Sequence, residues 1–89
     1  MKTMKNIFEL ELAECINEAF NMSLEDVVQH VSKMTPSSLQ QSKIESLANN
    51  FLYACVMIHT NKETSYTYKE ALKTAEFIYK KLRKYRGLD

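Results

Sequence analysis

Phe51-Leu52-Tyr53-Ala54-Cys55-Val56-Met57-Ile58 is a run of eight apolar or aromatic residues in a chain of 89. Nothing in it breaks a helix, and a helix wound from these residues has no polar side, so it must be covered from every direction. A single chain of this length buries only a modest fraction of its surface. The run therefore predicts a helical protein whose working unit is larger than one chain.

The rest of the sequence agrees with the helical reading. One glycine and one proline leave little room for hairpins, and apolar residues recur at spacings of three and four. The length suits a single domain, 1–89. Cys15 and Cys55 are the only cysteines. No Cys-x-x-Cys or His-x-x-x-His spacing accompanies them, so they read as two small hydrophobes in a reducing compartment, with no metal and no cofactor. Lys2 and Lys5 are followed by Glu9 and Glu11, which denies the N-terminus an apolar signal core. No stretch approaches the roughly twenty apolar residues that cross a bilayer. A soluble cytoplasmic protein without a membrane partner is the expectation.

Four helices can be drawn. The first runs from Lys5 to Phe20 on a stripe of Met4, Phe8, Leu12, Cys15, Ile16 and Ala19. Ser23, three residues before Asp26, resembles an acidic capping box and opens a short second helix carrying Val27, Val28 and Val31. Thr35 and Pro36 predict the start of a third helix, with a hydroxyl at the N-cap and a proline at the first helical position. That helix would run to His59 on Ile44, Leu47, Ala48, Phe51, Cys55 and Ile58, leaving Leu52, Tyr53, Val56 and Met57 off the stripe as an oligomer interface. Thr60 to Ser65 is a polar turn, with Ser65 or Thr64 capping a fourth helix on Tyr68, Ala71, Leu72, Ala75, Ile78, Tyr79 and Leu82. Gly87 suits its C-terminal end. The predicted fold is all-α: short N-terminal helices, then a long antiparallel helical hairpin, in a homo-oligomer.

The net charge of +1 hides an asymmetry. Residues 1–30 hold six acids against two lysines, and residues 69–89 hold seven basic residues against three acids. Pairing of an acidic helix with a basic one, in the same bundle or a neighbour, is the plainer explanation, and a basic tail that meets an anion is the other.

Catalysis finds no support. His30 and His59 have no carboxylate or nucleophile at the spacing of a triad or metal site, and Glu11, Glu14 and Glu18 read as a solvated acidic face. Anion binding is better served. Thr35 to Ser38 and Thr64 to Thr67 crowd hydroxyls at two expected helix starts, with Lys33 and Lys62 close by, and such ends offer free N–H groups to phosphate. Tyr66 and Tyr68 add rings on which a base could stack. A DNA-binding helix-turn-helix is excluded, because only Lys33 is basic between Ser23 and Pro36.

Lys33-Met34-Thr35, the helix through Leu47 to Ile58, Ser65 in its turn, and Ala71-Leu72-Lys73-Thr74-Ala75-Glu76 together resemble the phage anti-CBASS sponges that sequester cyclic oligonucleotides. The resemblance covers about Lys33 to Arg83. It implies a small helical oligomer without enzymatic activity that holds cyclic di- or trinucleotides between protomers, in the cytoplasm of an infected bacterium. Lys33 and Thr35 would meet phosphate or base edges, Ser65 would face the ligand, and Phe20 or Phe8 would stack on a base. Tyr66 stands where an arginine often follows the serine. The rival expectation is a protein-interaction module, an inhibitor, immunity protein or regulator that sets the face of Leu52, Tyr53, Val56 and Met57 against a host protein.

Overall fold

The computed structural model describes residues 4 to 87, and among these the chain is helical with no strand. Four helices follow one another: α1 (Met4–Phe20), α2 (Leu24–Met34), α3 (Gln41–Thr60) and α4 (Tyr66–Tyr85). Helix α3 packs on all three others, most extensively on α4, and α1 and α2 also reach α4. The molecule measures 39 × 32 × 19 Å. Its least dimension is about two helix diameters, and α1 and α2 each pack against the α3 and α4 pair.

The central place of α3 answers the demand made by residues 51–58. Phe51, Ala54 and Cys55 are buried, while Leu52, Met57 and Ile58 are half-buried against the core. Val56 is half-buried and Tyr53 alone is exposed. Neighbouring helices of the same chain thus supply most of the cover that a second chain was expected to give. What they leave open is Tyr53 and its flanks.

The apolar stripes converge on this helix. Leu12, Ile16 and Ala19 of α1, Val27 and Val31 of α2, and Ala71, Ala75, Ile78, Tyr79 and Leu82 of α4 are buried with Ile44, Ala48 and Phe51. Phe8 and Cys15 stand at the margin of the core, and the Met4 side chain lies outside the described residues. Ala54, buried beside Cys55, belongs to the core although it stands off the expected stripe.

The caps show where local chemistry set the helix ends. Ser23 Oγ accepts the Asp26 N–H at 3.1 Å, opening α2. Ser65 Oγ accepts the Tyr68 N–H at 3.1 Å and donates to the Lys62 carbonyl at 2.8 Å, so it both starts α4 and closes the preceding turn. Removing it with Ser65→Ala is expected to lower stability by about 1 kcal/mol, read as a lower urea midpoint. An unchanged midpoint would reject this role. Gly87 has φ +75°, the left-handed conformation favoured by glycine just past a helix end.

The start of the third helix requires a correction. Thr35 is not its N-cap; it ends α2, its backbone N–H and its hydroxyl both donating to the Ser32 carbonyl. The residue before a proline is pushed out of the helical region, and Thr35 has ψ 155°. A turn closed by the Leu39 N–H on the Pro36 carbonyl follows, and α3 begins only at Gln41. Thr-Pro here is a stop signal. Thr35 to Ser38 therefore offer no helix N-terminus to an anion.

The acidic first helix does meet the basic last one. Arg83 Nη1 lies 2.6 Å from Glu11 Oε1, and the Tyr79 hydroxyl donates to the same oxygen at 3.1 Å. The Arg83 side chain is only 13% exposed. The Glu11 side chain, 43% exposed, is partly screened by water, while the shielded guanidinium makes this charge-assisted bond stronger than a fully exposed pair. Glu11→Ala is expected to cost about 2 kcal/mol, measured by urea unfolding. A loss below about 0.5 kcal/mol would show the pair behaving like an ordinary surface ion pair.

Candidate functional site

Four surface features among the described residues could serve a ligand. The most capacious is a groove of about 460 Å³ bordered by α1, the end of α3 and the first half of α4. Its floor is apolar, formed by Leu12, Ile16, Ile58 and Leu72, and its lining carries three carboxylates, Glu9, Glu63 and Glu76, without a lysine or arginine. None of the three is in an ion pair among the described residues. Such a lining repels phosphate and attracts cations.

A second groove, of about 240 Å³, runs between α3 and α4 on the side away from α1 and α2. Tyr53, Met57 and Tyr66 line it over the small residues Ala54 and Ala71. Tyr53 is 64% exposed and Tyr66 78% exposed. The helix geometry explains the pairing: Tyr53 and Met57 are four apart on α3, and Tyr66 opens α4 just beyond the turn.

The third feature lies on the later half of α4, where Phe77, Lys80, Lys81 and Lys84 line a shallow surface of about 280 Å³. Phe77 is 63% exposed. Lys81 Nζ sits 5.1 Å from the Phe77 ring centre, a cation–π distance.

The fourth is a small half-open cleft of about 60 Å³, lined by Cys15, Met22, Val27, Val31, Phe51 and Tyr79 among others. Burial pushes the Cys15 thiol up, against the opposing hydrogen bond from Tyr79. A protonated, half-buried thiol is a poor nucleophile, so Cys15 serves packing. Among the described residues no cluster of three metal-ligating side chains occurs, and Glu11 is engaged by Tyr79 and Arg83. No helix among them is long and apolar enough to cross a membrane.

The residues singled out from the sequence fall into two groups. Ser65 and Tyr66 stand at the start of α4. Phe20 is toward the same end: its ring stacks on His59 at 4.2 Å between centroids, and His59 borders the acidic groove with Tyr68. Lys33 and Thr35 close α2 at the other end of α4, where Arg86 Nη1 reaches Met34 Sδ at 4.0 Å. Helix α4 has 20 residues and is therefore about 30 Å long. One chain does not bring these two groups together. The Ser65 hydroxyl is occupied on both sides by its cap and turn bonds, and the Thr35 hydroxyl by Ser32.

No family model, curated protein or solved structure matches the chain. Of the expected interface, Leu52 and Met57 pack against the core, while Tyr53 stands out with Val56 half-covered beside it. The acidic groove was missed because its carboxylates come from α1, the turn before α4, and α4 itself. Each looks like an ordinary solvated acid in the sequence, and only the fold assembles them.

Proposed function

We propose that the protein is a non-catalytic binding protein whose working surface is the outer face of α3 and α4, and that it acts as a small inhibitor or regulator by holding a protein partner there. The observation that carries this reading is the pair of exposed tyrosines, Tyr53 and Tyr66, over one groove with Met57. Tyrosine and methionine are enriched in interfaces because they offer large contact area with a polar or adaptable tip. Helices α3 and α4, read as an antiparallel hairpin, give them a rigid base.

The test compares the unaltered protein with Tyr53→Glu and Tyr66→Ala, each confirmed helical by circular dichroism. The unaltered protein should carry a defined host protein through sizing chromatography, and both variants should lose it. Retention of the same complex by both variants rejects the face.

A second reading is sequestration of cyclic di- or trinucleotides by a homo-oligomer, as in the anti-CBASS sponges, in the bacterial cytoplasm. It is favoured by the Tyr66 ring, free at the N-terminal end of α4 beside Thr67, where stacking and backbone N–H groups are close together. Because Lys33 and Thr35 stand at the far end of the helix, such a pocket requires a second copy to supply them. Calorimetry with a panel of cyclic di- and trinucleotides decides it. Heat on binding, with unaltered ligand recovered after denaturation, supports sequestration, and no binding to any member of the panel ends it.

A further inference from the structure

The acidic groove and the basic aromatic patch are complements carried by the same chain. The groove presents three carboxylates around an apolar floor, with no lysine or arginine in its lining. The patch presents three lysines around one exposed ring. No ion pair among the described residues engages Glu9, Glu63, Glu76, Lys80, Lys81 or Lys84, and Lys80 lies 6.0 Å from the Phe8 ring of its own chain, which its flexible stem can leave. From this complementarity we infer that the groove receives the Phe77 patch of a second copy, the ring resting on Leu12, Ile16, Ile58 and Leu72 while the lysines meet the carboxylates.

Size and chemistry agree. A groove of about 460 Å³ lies within the usual range of binding clefts, roughly 300–1,000 Å³, and has room for a phenyl ring and lysine stems. Burial of the ring gives attraction, and the opposed charges give orientation. Phosphate-bearing ligands are disfavoured by the same carboxylates, and a lone cation would leave the apolar floor wet.

The geometry also bears on the kind of assembly. Glu76 of the groove and Phe77 of the patch are successive residues of α4, so their side chains leave the helix about 100° apart. Each chain can give its patch to one neighbour and its groove to another. Where one neighbour takes both surfaces the pair closes as a two-fold dimer, and where two neighbours share them the contact runs head to tail and builds a ring or a filament. It does not involve Tyr53 or Tyr66, so it stands apart from the function proposed above.

Sedimentation velocity on the full chain tests the inference. The unaltered protein should associate at about 100 µM in 50 mM NaCl, and the association should weaken at least about tenfold in 500 mM NaCl, where screening shortens to a few Å. A triple groove reversal, Glu9→Lys, Glu63→Lys and Glu76→Lys, and a triple patch reversal, Lys80→Glu, Lys81→Glu and Lys84→Glu, should each be monomeric. Mixed together they should assemble again, since each then offers the complement of the other. Tyr53→Glu should leave association unchanged. A monomer at low salt, association indifferent to salt, or reversed variants that assemble alone as the unaltered protein does would each overturn the inference.

Discussion

Phe51→Ala is expected to lower stability by about 3–5 kcal/mol. Phe51 is buried at the centre of α3 and already borders the half-open cleft of about 60 Å³ with Cys15 and Tyr79. Removing the ring joins its volume to that space, and helices packed on three sides of α3 have little freedom to collapse into the hole. A domain of this size has a total stability of about 4–13 kcal/mol. The variant should therefore melt about 15–30 °C lower or fail to show a cooperative transition. A loss below about 1.5 kcal/mol would mean that α3 is not the centre of the packing. Tyr53→Ala, two residues on, should change stability by less than about 0.5 kcal/mol, because Tyr53 faces outward.

Stability should fall at alkaline pH, because the fold holds the protons of Cys15, Cys55 and Tyr79 against ionisation. Burial pushes the Cys55 thiol from its usual 9.0 up to about 12. Burial, then Cys15 and Glu11, raise the Tyr79 hydroxyl above its usual 10.0, and burial raises Cys15. Between the unfolded and folded values the folded chain keeps protons that the unfolded chain has released, so stability falls as pH rises. It is fully present below about pH 9, and each such group then removes about 1.4 kcal/mol per pH unit until its folded value is reached. Urea titrations from pH 7 to pH 11.5 under reducing conditions should show a plateau followed by a steep decline. Cys55→Ala should make that decline shallower. Constant stability to pH 11 would show that these groups are not protected by the fold.

Much of the fold was legible because its signals are local. Ser23 and Ser65 cap their helices through their own neighbours, Gly87 takes the left-handed conformation at a helix end, and the stripes of α1 and α4 turn the expected residues inward. Thr35-Pro36 misled because the two residues satisfy opposite rules. They suit a helix start by composition, yet proline also forbids the helical conformation to the residue before it, and the Ser32 carbonyl was there to complete the stop. The true start at Gln41 has no side-chain cap and so gives no signal.

The candidate site was legible only as residue types. Tyr66 and Tyr53 were visible as aromatic residues without a place in a stripe, but their shared groove depends on how α3 meets α4. The separation of Lys33 from Ser65 by the length of α4 could not be read at all, because spacing in sequence carries no distance between packed helices. The same holds for Glu11, whose partners Tyr79 and Arg83 lie 68 and 72 residues away.

That last separation also has a consequence in time. Helix α1 is synthesised before α4, and the ribosome adds about 5–20 residues per second. Glu11 therefore waits about 4–14 s for Arg83 after its own synthesis, with the Leu12, Ile16 and Ala19 stripe still lacking part of its cover. Glu9, Glu14 and Glu18 stand on the exposed side of α1, where their like charges oppose the association of such chains.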